Sequence, residues 1–257
     1  MLNSGACSGK GGEESQKWFD EESQKSRSVA EELKLDFIRV NTNLMEFYNE
    51  NHEKSGFCRI IGCILGMDNL IEKYYIASSY ELGGSKYSVF DGPSYDDGYY
   101  AFFDASIFSN TNVKFMIIGN SSSRDDKVRF IADNTVAQKY LNVCWFGANN
   151  CGRCEKCLRT IGALYTINKL DQYGKCFDIN DFYKHKTNRI AWMIKYSKDH
   201  PTMYYFLNDL RKDKKKEYNK AKLYYVFVVK PKCIVKQTAK KILPKSIQNI
   251  VRKKLNK

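Results

Sequence analysis

Cys144-Trp145-Phe146-Gly147-Ala148-Asn149-Asn150-Cys151-Gly152-Arg153-Cys154-Glu155-Lys156-Cys157 sets four thiols inside fourteen residues of a 257-residue chain. Two Cys-x-x-Cys steps share Cys154, and six residues separate Cys144 from Cys151. Zinc takes four thiolates tetrahedrally at about 2.3 Å. The two shared steps form a tight knuckle that offers three sulfurs to one point. Gly152 permits the sharp turn, and Cys144, at a strand end, supplies the fourth ligand. Four protein ligands close the site, so it reads as structural rather than catalytic. A redox Cys-x-x-Cys pair and an iron–sulfur cluster are the competing readings. A thiol-only tetrahedral set in a reducing compartment favours zinc. The other cysteines, Cys7, Cys58, Cys63, Cys176 and Cys233, are scattered and read as small apolar residues. His52, His185 and His200 lie in polar contexts and are assigned to no metal.

Outward from the knuckle, strands and helices alternate. Toward the N-terminus, Asp125 to Tyr140 reads as an amphipathic helix with Val128, Ile131, Ala132, Val136 and Tyr140 on one side. Val113 to Gly119 is a strand apolar enough to be central in a sheet. A long loop rich in Gly, Ser, Tyr and Asp runs from about Tyr80 to Ala105 and is a candidate substrate cap. Lys73 to Ser79 is a second strand. Leu44 to Asn51 and Phe57 to Ile71 read as helices, Asp36 to Val40 as a short strand, and Glu13 to Lys34 as a surface helix with Trp18, Val29, Ala30 and Leu33 as its apolar minority. Residues 3–12 read as a glycine-rich loop. Downstream, Leu158 to Leu170 is a helix that starts from the last cysteines. The pattern is wholly helical from Gly174 to Leu210. The expected fold class is therefore α/β: a mostly parallel sheet flanked by helices, the four-cysteine knuckle at its C-terminal side, and a helical extension. The expected divisions are residues 1–174 for the α/β domain, 175–210 for the helical extension and 211–257 for a basic tail.

The cysteine spacing leads into Leu158-Arg159-Thr160 and follows a helix opening Ser123-Arg124-Asp125-Asp126-Lys127. Over roughly Leu33 to Leu170 this resembles the C-terminal half of the 7-cyano-7-deazaguanine synthase family. The phrase from Asn150 to Thr160 is closer still to uncharacterised relatives encoded among surface-polysaccharide genes. The resemblance implies an adenine nucleotide α-hydrolase-like fold and a cytosolic ATP pyrophosphatase. Such an enzyme adenylates a carboxylate or carbonyl oxygen and releases pyrophosphate, and ammonia or another nucleophile then displaces AMP. ATP, a small-molecule substrate and phosphate-bridging magnesium are the implied ligands. The family's phosphate loop, Ser-Gly-Gly-x-Asp-Ser, has no counterpart here. Ser8-Gly9-Lys10-Gly11-Gly12 lacks the Asp-Ser and also differs from a P-loop. Residues 1–12 align instead with the family's second strand and its loop, so the expectation is a member without its first strand and phosphate loop. The alternative function is a non-catalytic, zinc-stabilised remnant that binds a partner or a membrane surface.

Arg124 and Lys127 match the family's helix start and are candidates for neutralising phosphate charge, or two solvated charges on a first turn. Ser78 and Ser79 end a strand, at the usual ligand edge of an open sheet. Arg159 follows the knuckle and either reaches that edge or pairs with an acid. No residue is assigned a catalytic role.

Net charge is +13, but residues 211–257 hold 17 Lys+Arg against 2 Asp+Glu, while the other 210 residues hold 25 against 27. A uniformly basic binding domain is thus disfavoured and a basic interaction tail is supported. From Pro244, Ile247, Ile250, Val251 and Leu255 recur at helical spacing among basic residues, the pattern of a helix lying on an anionic membrane face. A solubilising end is an equal reading, and phosphate contact with nucleic acid ranks third. The longest apolar run, Leu223 to Val229, is seven residues, far short of the roughly 20 needed to span a bilayer. Met1 to Gly5 has no basic stretch or apolar core, so the expected location is cytoplasmic, or peripheral at a membrane.

Overall fold

A computed structural model describes residues 1–3, 12–47, 52–79, 101–144, 146–198 and 203–242. In the first part of the chain β1 (Leu2–Asn3) is followed by α1 (Gly12–Glu32), β2 (Val40–Asn41), α2 (Leu44–Phe47), α3 (His52–Leu65), β3 (Lys73–Ala77), α4 (Ala101–Phe108), β4 (Lys114–Ile118), α5 (Arg124–Ile131) and α6 (Thr135–Tyr140). Every strand pairing among the described residues is parallel: Leu2 lies opposite Val40, and Lys73 to Ala77 lie opposite Lys114 to Ile118. Among the described residues the strands form two two-stranded sheets rather than one extended sheet, and the described chain is mostly helical.

Side-chain alternation explains β3 and β4. Tyr74, Ile76, Phe115 and Ile117 point to one face, where they join a core with Phe57, Ile61 and Ile64 of α3 and Ala101 and Ala105 of α4. Tyr75, Met116 and Ile118 point the other way and are exposed. The expectation that residues 113–119 form a central strand therefore fails among the described residues. Its apolar run is divided between a packed and an open face, and β4 has β3 as its neighbour.

Other boundaries also move. The single helix expected over residues 125–140 is two, because Asn134 caps α6 by accepting from the Ala137 amide at 2.9 Å. Strand β1 occupies Leu2–Asn3, overlapping at Asn3 the stretch read as a loop, and Ala101–Phe108 is helical where a loop was expected to Ala105. Helix α3 starts at His52 and stops at Leu65, short of Ile71. Residues 4–11, 48–51 and 80–100, which include the glycine-rich string and most of the proposed cap, lie outside the described residues, as do residues 243–257 with the helix expected from Pro244.

The chain divides after Asn150 into compact units of residues 1–150 and 151–257, rather than after residue 174. The second unit contains α7 (Glu155–Thr166), a 3-10 turn (Leu170–Tyr173), α8 (Ile179–Lys184), α9 (Lys186–Tyr196), α10 (Tyr204–Asp213), α11 (Lys215–Tyr224), a wide π turn (Tyr225–Val229) and α12 (Lys230–Ile242). Its centre is α7, buried from Cys157 to Thr166 except at Arg159. Leu158, Ile161 and Leu164 meet a core shared with Ile190, Met193, Met203 and Phe206. The basic segment is not a separate tail up to Ile242. Ala221, Tyr225 and Val229, spaced one turn apart, are buried within this unit.

Candidate metal centre and sheet-edge site

Each arm of the knuckle is held by its own contacts. The stretch leading to Cys144 is stapled by Asn150, whose amide donates to the Leu141 carbonyl at 2.7 Å and whose oxygen accepts from the Val143 amide at 2.9 Å. Helix α1 braces the same loop: Asn142 donates to Glu22 at 2.6 Å, and Lys25 donates to the Ala148 carbonyl and, at 3.0 Å, to Asn149. Cys151 opens the second arm. Gly152 follows with φ of 66°, a left-handed turn that other residues adopt only under strain. Cys154 then stands at the N-cap of α7, its sulfur accepting from the Cys157 amide at 3.4 Å.

These turns bring ligand sulfurs of Cys144, Cys151, Cys154 and Cys157 within 4.8 Å of one another. A zinc ion with bonds of about 2.3 Å would set its sulfurs about 3.8 Å apart, so the cluster closes on one ion with small side-chain movements. Backbone amides already point at the sulfurs: Phe146 to Cys144 at 3.4 Å, and Arg153 and Cys154 to Cys151 at 3.5 and 3.3 Å. Donors so aimed stabilise thiolate charge, as does the N-terminus of α7. Cys154 and Cys157 are buried, and Cys151 is exposed. The Cys157 thiol is pushed well above the usual cysteine range, first by its hydrogen bond with Cys154, then by burial and by the neighbouring Cys154 charge. Several thiolates cannot ionise side by side in a buried place without a cation, and a divalent metal removes that penalty. The donor set therefore fits structural zinc, and four protein ligands leave no open coordination position for substrate.

Asp181 anchors the second arm to the helices beyond it. It accepts from Arg189 at 2.6 Å and from Arg153, between two of the cysteines, at 3.4 Å; His185 lies 3.7 Å away. Arg189 first, aided by the Arg153 charge, holds its carboxyl below the ordinary range. Sequence reasoning missed Glu22, Lys25, Asn142, Asn150 and Asp181. Only Asn150, next to Cys151, offered a local signal.

The non-metal candidates separate into two places. At the carboxyl end of β3, Ser78 continues the parallel ladder by donating its amide to the Ile118 carbonyl at 2.9 Å. The Lys127 ammonium, from α5, donates to the Ser78 carbonyl at 3.0 Å and to its hydroxyl at 2.8 Å. Gly119 turns the chain at the end of β4 with φ of 74°, and a Cβ there would lie 3.2 Å from the Lys127 stem. Ser79 is exposed beside this pair, and Arg124 opens α5 half-buried. Ser123 and Asp126 form a reciprocal capping box that occupies amides of the α5 N-terminus. Arg159 belongs to the second unit and pairs with Glu155 at 3.3 Å across one helical turn.

No protein-family model, curated protein or solved structure matches this chain, so the two sites themselves carry the functional argument.

Proposed function

We propose that the chain is a zinc-stabilised nucleotide-binding protein of the ATP-pyrophosphatase type, with the carboxyl end of β3 and β4 as its phosphate edge. The observation that carries this reading is the Lys127 ammonium fixed to Ser78 where both parallel strands end. Ligands of open α/β sheets gather outside the carboxyl ends of strands, and a cation tethered there meets the charge of a phosphate without first being ordered. In the adenylation that the resemblance implies, a carboxylate or carbonyl oxygen attacks the α-phosphorus of ATP and pyrophosphate leaves. A nucleophile such as ammonia then displaces AMP. Lys127 would balance charge on the phosphates, Ser78 would orient its ammonium, and Ser79 and Arg124 flank the same edge. Magnesium would supply further charge neutralisation for the phosphates, and Cys144, Cys151, Cys154 and Cys157 would hold a zinc ion that stabilises the knuckle. The sequence resemblance to proteins encoded among surface-polysaccharide genes implies a sugar-linked or surface-polysaccharide precursor as the substrate class.

Calorimetry of the zinc-loaded protein with ATP and magnesium tests this. The expected result is micromolar binding that Lys127→Ala weakens by about tenfold or more, the value of a charge-assisted contact. No heat of binding to ATP or AMP would overturn the nucleotide reading and leave a non-catalytic, zinc-stabilised interaction module.

A further inference from the structure

From Lys215 to Ile242 the chain is one helical run through α11, the π turn and α12. Its inner face is settled by burial: Ala221 is 0%, Tyr225 9% and Val229 2% exposed, and Lys198 stacks 5.3 Å over the Tyr225 ring. The outer face carries large apolar side chains in water. Leu223 is 60%, Phe227 74% and Ile234 52% exposed, at spacings of four and seven residues, with Val226 and Val235 beside them. Seven and three residues before Leu223, Lys216 and Lys220 lie on this same side by α-helical geometry, and Lys230, just past the π turn, is exposed as well. Residues 215–242 hold nine lysines, no arginine and one acid, Glu217. Glu217 is occupied inward, accepting from Lys186 at 2.8 Å and from the Tyr165 hydroxyl. The outer face therefore has no negative charge of its own.

We propose that this outer face docks on an anionic lipid surface. Exposed Leu, Phe and Ile on a lysine-studded helix suit an interface that takes apolar side chains below its headgroups and neutralises ammonium groups at their level. A nucleic acid backbone would satisfy the lysines and leave the apolar side chains in water, so charge and apolarity together favour lipid. No helix among the described residues is long and apolar enough to cross a membrane. The helix accordingly lies in the interface plane, with Tyr225 and Val229 still packed within its own unit. This docking is independent of nucleotide binding.

Co-sedimentation of the full zinc-loaded chain is measured with vesicles of phosphatidylcholine alone and mixed with phosphatidylserine. The expected result is binding to the mixed vesicles only, weakened by salt. Leu223→Ser with Phe227→Ser, and separately Lys220→Glu with Lys230→Glu, should each weaken it by at least about tenfold while leaving the melting temperature unchanged. Undiminished vesicle binding by the Leu223→Ser, Phe227→Ser variant overturns the proposal, because attachment then lies elsewhere. So does absence of vesicle binding with salt-sensitive retention of RNA, which would make the face a phosphate-backbone surface.

Discussion

Cys154 carries two duties on one sulfur. It accepts the Cys157 amide at 3.4 Å as the N-cap of α7, and it is one of four mutually close sulfurs that could hold a metal ion. The two duties separate by substitution. Serine is a strong N-cap but a poor zinc ligand; alanine is neither. Cys154→Ser should therefore lower the stability of the zinc-loaded protein by several kcal/mol, on the order of 3, and remove the bound zinc. With a strong chelator present the order should reverse. Cys154→Ser should then match or exceed the parent protein, and Cys154→Ala should fall about 1 kcal/mol below it. Thermal melts with and without chelator read both effects. Equal stability of all three forms in the presence of zinc would remove the metal from the fold. The four-cysteine cluster was legible because its members lie within fourteen residues and a tetrahedral site needs close spacing. The Lys127–Ser78 bond was not. Its partners lie 49 positions apart, and only the pairing of β3 with β4 and the placement of α5 bring them together.

Among the elements, α7 and α10 approach closely at Gly162. A Cβ there would fall 2.4 Å from Cε2 of Phe206, a ring only 1% exposed. Gly162→Ala would gain helix propensity of about 1 kcal/mol in an open position, but here the ring cannot withdraw into solvent. The clash should win, with a net loss of about 2 kcal/mol, the usual cost of overpacking a filled core. Phe206→Leu in the same background should recover part of that loss by opening space. Denaturant melts of the two single variants and the double variant measure the coupling; simple additivity would mean that this contact does not limit the packing. The helical character of this unit was readable from composition, but its extent was not. Seventeen basic residues after position 210 mask the four-residue recurrence of Ala221, Tyr225 and Val229, which places the segment in the core. The break between α5 and α6 was hidden differently. Val128, Ile131, Ala132 and Val136 keep helical spacing across it, although Asn134 carries a cap's side chain.

At the scale of the whole chain, metal dependence should follow the two cores rather than spread evenly. Phe57, Ile61 and Ile64 of α3, with Phe115 of β4, form an apolar cluster that includes no cysteine of the knuckle. Helix α7 is different: its N-cap and a residue of its first turn, Cys154 and Cys157, belong to the four-cysteine cluster, and its buried face is the centre of the second unit. Losing the metal leaves crowded thiols at that end. These must take up protons, and their capping and amide contacts weaken when the sulfur charge is lost. Hydrogen exchange before and after chelation should therefore accelerate most in amides of residues 155–166 and of the helices that share their core. The parallel pairing of β3 and β4, held by its own alternating face, should keep most of its protection. Equal acceleration in both regions would show that the chain unfolds as one cooperative body and that the metal supports all of it. Acceleration confined to α7 and its neighbours would place the metal's stabilising effect in the second unit, leaving the Lys127–Ser78 edge to be supported by the first unit's own core.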